Sequence, residues 1–370
     1  MKPKLIFPIS FSLLLTSFTA FSVLDTLVLE GGETVEVNDE DDDFVFTKPD
    51  SGEKTPSGDD KKPDDNKPGE NPDDKKPDEK PEDKDKPEDN KQNTGNGNWD
   101  PSNIDQDPNY LHSYKDENLN IKIFKETIKT KHMVEDRMMD TVVFCADVTI
   151  SSAEHIRTRF AKASWSTKPT FGRNITNYTS AIAVDGGAIF AINGDYYGAR
   201  EKGYVVRNGK TYRNTGYSDF REDLVIYGDG SFGIFDESKT KLTDITDSEL
   251  GAWQVFSFGP ALVKDKKVSV EETAEVATFS KLGNQRCSIG VFEPLHYFIA
   301  ICEGRLKDSY GMSLYEMGTY MQSKGVETAY NLDGGGSATI WFNGEVLNRP
   351  NTNGDDDIGE RKISDIIFFK

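Results

Sequence analysis

The run Asn331-Leu332-Asp333-Gly334-Gly335-Gly336-Ser337-Ala338-Thr339-Ile340 sets a carboxylate at the end of an apolar segment and follows it with three glycines and a hydroxyl. Successive glycines let backbone N–H groups approach a ligand with no Cβ in the way and tolerate φ > 0, which suits an anion or a sugar hydroxyl. Asp333 adds the charge that backbone lacks, so it is a candidate catalytic group, with Gly334, Gly335 and Ser337 as candidate ligand contacts. A plain turn is the competing reading, because Asp before Gly is ordinary turn chemistry. A phosphate loop of the Walker type ends in Gly-Lys-Ser/Thr, and no lysine precedes Ser337.

A second polar group, Ile192-Asn193-Gly194-Asp195-Tyr196-Tyr197-Gly198, ends another apolar run. Asn193 offers both a donor and an acceptor to a sugar hydroxyl, Asp195 a charge, and Tyr196 or Tyr197 a face for a pyranose ring. A turn whose tyrosines cover the core edge is the alternative. Arg286 precedes the apolar run 287–292, and Glu303 and Arg305 flank Gly304 after the run 297–302. Arginine's planar fork suits the oxygens of a phosphodiester, although taken singly each is an ordinary surface ion pair. Asn348 and Arg349, before Pro350, complete the set. Asp355, Asp356, Asp357 and Glu360 could hold Ca²⁺ but lack EF-hand spacing, so the sequence requires no cofactor and leaves calcium open.

These residues need strands to hold them. Runs at 141–150, 188–193, 224–227, 231–235, 261–264, 288–292, 297–302, 327–332, 337–342 and 363–369 read as strands. Asp229-Gly230 reads as a two-residue hairpin turn, and Asn343-Gly344 as another. One helix is expected from Ser151 or Ser152 toward Trp165, since Ser151 and Glu154 have capping-box spacing. A second is expected over 313–324, with Ser313 and Glu316 as its capping box, Gly325 as its stop, and Leu314, Met317 and Met321 facing the core. The predicted class is α+β: a mixed sheet core with a few packed helices.

The 370 residues divide by composition. Over 1–30, Lys2 and Lys4 precede an uncharged stretch from 5 to 24, read either as an export signal cleaved after Ser22 or as a retained membrane anchor, with a slight preference for the anchor. Residues 31–100 hold 24 acidic and 11 basic side chains, a net −13 of the chain's −20, with prolines throughout and hardly an apolar residue after Phe46. Such a segment cannot bury enough surface to fold, so it is expected to be a disordered spacer carrying the 101–370 domain away from a surface. The remainder is mildly acidic, and a nucleic-acid partner is not indicated. Cys145, Cys287 and Cys302 are odd in number and lie in apolar runs, which favours buried thiols over a disulfide framework. Four scattered histidines give no metal-ligand spacing.

From about 141 to 369 the chain resembles the phosphodiester glycosidase family. The resemblance is carried by Ala191-Ile192-Asn193-Gly194, Gly259-Pro260-Ala261-Leu262-Val263, Arg286-Cys287-Ser288-Ile289-Gly290, Glu303-Gly304-Arg305, Tyr310-Gly311-Met312-Ser313-Leu314 and the Asp333 run, followed by Asn343-Gly344 and Asn348-Arg349-Pro350. Asp195, Tyr196 and Tyr197 stand where many members have a glycine and phenylalanines, and Cys287 where threonine is frequent. The resemblance implies hydrolysis of a sugar joined through its anomeric carbon to a phosphodiester. It implies Asp333 as nucleophile or base, Glu303 as the second carboxylate, and Arg286 as phosphate holder. Asn193, Asp195, Gly334, Gly335, Ser337, Arg305, Asn348 and Arg349 would then contact substrate. A glycan phosphodiester of exported or cell-surface material would be the partner. The competing expectations are a surface module that binds phosphate-containing wall polymer without cleaving it, and an assembly role in exopolysaccharide export.

Overall fold

The computed structural model describes residues 34–37, 101–105, 107–132, 135–272 and 283–370. The expected signal or anchor and nearly all of the acidic tract lie outside the described residues. Among the described residues no helix is long and apolar enough to cross a membrane.

The architecture is predominantly β, which corrects the α+β expectation. It contains a nine-stranded sheet, two five-stranded sheets and a two-stranded ribbon. Every described strand pairing is antiparallel, so the sheets are not mixed. Antiparallel strands close through hairpins and need no helical crossovers, which explains why so few helices accompany them. The nine-stranded sheet is centred on Thr328–Asn331, Arg286–Glu293, His296–Cys302 and Arg137–Ile150. The C-terminal sheet runs Glu345–Val346, Ile340–Phe342, Phe190–Asn193, Asp365–Phe369, Ile156–Phe160. The third runs Lys210–Arg213, Val205–Arg207, Ala252–Phe256, Glu222–Tyr227, Phe232–Asp236.

Ile289, Ile299 and Ile301 of the large sheet, Ile192, Ile340 and Ile367 of the C-terminal sheet, and Leu224, Trp253 and Phe256 of the third bury one shared core. The opposite face of the large sheet is covered by the helix Leu314–Lys324, whose Leu314, Met317 and Met321 pack with Val143, Cys145 and Ala300. Its capping box forms as expected, with Ser313 and Glu316 reciprocally bonded, and Gly325 closes it at φ +90. The three thiols are buried and free, and burial pushes those of Cys145 and Cys302 up to about 12.

The helix expected toward Trp165 does not form. Ser152 caps a single 3-10 turn, Ala153–His155, and the chain then enters the strand Ile156–Phe160. All five strand residues are buried, and pairing with Asp365–Phe369 overrides a local cap. Asn343-Gly344 forms the two-residue turn expected of it, with positive φ at both positions. Asp229-Gly230 instead belongs to a three-residue loop, since Tyr227 N–H bonds the Ser231 carbonyl and Gly230 adopts φ +82. At the domain's rim Val35–Glu36 pairs with Thr170–Phe171, Val37 N–H donates to the Pro169 carbonyl at 2.8 Å, and Val37 packs on Phe160, Phe171 and Tyr197.

Candidate active site

Asp333 follows the strand Thr328–Asn331, and Asp195 follows the neighbouring sheet's strand Phe190–Asn193. The two loops meet where the Asp333 N–H reaches the Gly194 carbonyl at 3.4 Å. Asn193 fastens this junction. Its Nδ2 donates to the Asp333 carbonyl at 2.7 Å, and its Oδ1 accepts from Thr339 N–H at 3.2 Å. Fully buried, Asn193 binds backbone on both sides of its amide and so acts on the site by holding Asp333.

Between these strand ends lies a cleft of about 190 Å³ lined by Asp195, Asp333, Tyr196, Arg361, Ser364 and Asn174 among others. Burial pushes the Asp333 carboxyl above its usual range, and Arg361 is the main opposing influence. The Arg361 guanidinium lies 3.4 Å from Asp333 Oδ2, donates to Ser337 Oγ through Nε at 2.9 Å and Nη2 at 2.7 Å, and reaches the Gly334 carbonyl at 3.1 Å. Ser337 is thus the residue through which Arg361 is oriented. Tyr196 projects into solvent beside the cleft at 46 % exposure, whereas Tyr197 is buried among Phe160 and Phe171. Only Tyr196 has a face free to meet a ring.

The glycines answer to space as well as to conformation. A Cβ at Gly334 would stand 2.8 Å from the Gln285 carbonyl, and Gly335 adopts φ +58 with the Arg305 guanidinium 3.5 Å from where its Cβ would be. Arg305 and Arg361 therefore both border the loop. Burial and the positive charge of Arg361 together lower Arg305.

Asp195 is held rather than free. Its Oδ1 accepts from Tyr197 N–H at 3.0 Å and lies 3.1 Å from Arg207, and its Oδ2 accepts from Ser257 N–H at 3.1 Å. Arg207 also donates to Asp365 at 2.8 Å and lies over the Phe256 ring at 4.3 Å. Burial raises Asp365, with Arg207 opposing. One buried arginine between two buried carboxylates ties the cleft floor to the third sheet.

The remaining expected residues are not brought to the cleft. Glu303 is buried and gripped by Arg349, which donates from its backbone N–H at 2.8 Å and from its guanidinium to both oxygens. Glu303 and Asp308 in turn hold Arg349 protonated beyond the usual arginine range. Asn348 clips a turn, donating to the Ala338 carbonyl at 2.8 Å and accepting from Ile340 N–H at 3.0 Å. Arg286 lies behind the glycine loop, donates to the Met312 carbonyl at 2.9 Å, and is pushed down to about 10 by burial. The acidic loop does not converge on a cation. Asp355 accepts from Lys307 N–H, Asp357 from Asn353, and Glu360 from Ser180. Among the described residues no cluster of three or more His, Cys, Asp or Glu is placed to hold a metal.

Sequence reasoning missed Arg361, Arg207 and Asp365. The signal available was Asp365, a carboxylate at the head of an apolar strand, as Asp333 is at the tail of one.

The sequence profile described as phosphodiester glycosidase matches residues 182–370, half of the chain and all of the cleft's carboxylates and glycines. The chain belongs to the phosphodiester glycosidase family. A prophage-derived uncharacterized protein of Bacillus subtilis, YomE, is 30% identical over 198 residues, covering 51% of this chain and 30% of that protein. The mouse N-acetylglucosamine-1-phosphodiester alpha-N-acetylglucosaminidase is 27% identical over 120 residues, 31% of this chain and 23% of the enzyme. The chain thus spans under a third of the length of these relatives. The catalytic domain of the zebrafish N-acetylglucosamine-1-phosphodiester alpha-N-acetylglucosaminidase superposes with a TM-score of 0.55 at 21% identity, over 69% of this chain and 84% of that one. That likeness shows a shared phosphodiester glycosidase fold.

Proposed function

We propose that the chain hydrolyses a sugar-1-phosphodiester in the Asp333 cleft, releasing the sugar and leaving a phosphate monoester. The observation that carries this reading is a buried carboxylate 3.4 Å from a half-exposed arginine at a cleft wall. Cleavage at the anomeric carbon builds positive charge on the ring and negative charge on the departing phosphate, so adjacent opposite charges match both ends of the bond. Asp333 is the nucleophile or base, strengthened by burial that disfavours its charge. Arg361, with Arg305 bordering the same glycine loop, takes the phosphate oxygens in place of the deeper Arg286. Asp195 is the second carboxylate of the cleft, and Tyr196 stacks on the sugar. Glu303 serves by anchoring Arg349 and the loop that follows it.

The N-terminal charged-then-apolar pattern supports export, and with it a cell-surface or secreted glycan as the substrate's source. The test is release of N-acetylglucosamine from an N-acetylglucosamine-1-phosphodiester by the full chain, against an Asp333→Asn control of equal stability. Turnover lowered at least about a thousandfold in the control supports the assignment. Binding without release by the unaltered chain would replace hydrolysis with simple recognition of the diester.

A further inference from the structure

Behind the cleft lies a second carboxyl pair that the proposed chemistry does not use. Asp223, on the strand Glu222–Tyr227, is fully buried, and neither of its oxygens meets a donor in normal geometry. The polar groups bearing most on it are Glu237 and Ser257. Glu237 is itself buried and already an acceptor three times over, from Tyr204 N–H at 2.9 Å, Tyr217 N–H at 2.6 Å and Ser257 Oγ at 2.6 Å. Two buried acceptors facing each other are costly unless one carries a proton and donates it.

Ser257 connects this pair to the cleft. Its Oγ is held by Glu237, its N–H holds Asp195 Oδ2, and its carbonyl receives Arg200 Nη1. Arg200 lies over the Phe258 and Tyr196 rings at 5.0 and 6.0 Å and lowers Asp333. One serine therefore sets a carboxylate and a cation that both bear on the cleft.

We propose that Asp223 and Glu237 hold one proton between them and, through Ser257, position Asp195 and Arg200 at the cleft wall. The proton follows from the buried pair alone, while its catalytic consequence rests on the cleft being the hydrolytic site. The groups facing the pair are Asp195 from the cleft loop, the Tyr204 phenol beside the third sheet and the Tyr330 phenol from the large sheet. Of the cations on adjoining elements, Arg207 is committed to Asp195 and Asp365, Arg200 to the Ser257 carbonyl and Arg213 to the Gly203, Tyr197 and Arg200 carbonyls, while Arg221 lies over the Tyr217 ring at 4.0 Å. Burial first, and Glu237 second, push Asp223 well above its usual range, so Asp223 carries the proton. Loss of that proton leaves the pair without a donor between its buried oxygens and displaces Ser257.

The test compares the full chain with Asp223→Asn, which keeps shape and a donor but cannot ionise. Isotope-edited infrared spectra with carboxyl-labelled aspartate are expected to show a protonated carboxyl band at neutral pH that the variant lacks. Asp223's folded pKa is raised, so its contribution to stability is complete below the ordinary carboxyl range and is lost as pH rises to the folded value. The unfolding constant of the wild type should therefore climb by up to about tenfold per pH unit relative to the variant across that window. With the diester as substrate, the variant should lack the alkaline fall in kcat/KM caused by Asp223. Ser257→Ala should lower kcat by about tenfold while keeping the infrared band. Absence of the band in the wild type, together with parallel stability curves, overturns the proposal. The infrared and unfolding readings need no turnover, so failure of the hydrolase reading is distinguished from failure of this one.

Discussion

Replacing Arg361 by glutamine removes the one cation paired with Asp333 among the described residues while retaining a group able to reach Ser337. At 3.4 Å the pair is worth about 5 kcal/mol at an effective dielectric of about 20 and about 1 kcal/mol in water. The Arg361 side chain is 41 % exposed and that of Asp333 10 %, which places the pair near the wetter limit, at about 1–2 kcal/mol. That corresponds to about one pH unit. Burial already raises Asp333 and Arg361 opposes the rise, so the variant's carboxyl moves further up. If the ionised form does the chemistry, the acid limb of kcat/KM against pH shifts upward by about one unit, and activity below that limb falls about tenfold. The stability linked to Asp333, whose folded pKa is raised, is present in acid and lost as pH rises through the folded value. The variant's deficit against wild type should thus be largest near neutrality and narrow as pH falls. The assay is sugar release from a sugar-1-phosphodiester across the pH range, with thermal unfolding measured in the same buffers. An acid limb at an unchanged pH in a folded Arg361→Gln enzyme would refute the reasoning, because the carboxylate would then not sense the arginine.

Gly334→Ala places a methyl group 2.8 Å from the Gln285 carbonyl, and sugar release should fall at least about a hundredfold while thermal unfolding shifts only a few degrees. Arg349→Met leaves Glu303 buried without its cation, and chemical denaturation should show a loss of about 2–4 kcal/mol. Tyr196→Ala should raise KM about tenfold with kcat nearly unchanged, whereas an equal fall in kcat would show that the ring acts beyond binding.

Much of this site was legible because its signals are local. Asp333 with its glycines, the Asn343-Gly344 turn and the Ser313/Glu316 box each declare themselves within a few residues, and each forms in the structure. The Ser151–Glu154 box has the same spacing but gives one 3-10 turn, since a short cap is worth less than five buried residues pairing with Asp365–Phe369. Residue type also misled where an amide has two uses. Asn193 and Asn348 have the chemistry to meet a sugar and spend it on backbone. The Asp195, Arg207 and Asp365 triad was beyond reach, because Asp365 is more than 150 residues from the other two and only the packing of two sheets brings the three together.

The pairing of Val35–Glu36 with Thr170–Phe171 brings the start of the acidic tract onto the folded body that also holds its end. The 63 residues 38–100 leave that body after Val37 and rejoin it before Ile104–Asp105, which pairs with the large sheet, so the tract closes a loop on one body. Closing a loop costs only slightly more as the loop lengthens, so shortening or lengthening the tract should leave the thermal unfolding of the domain nearly unchanged.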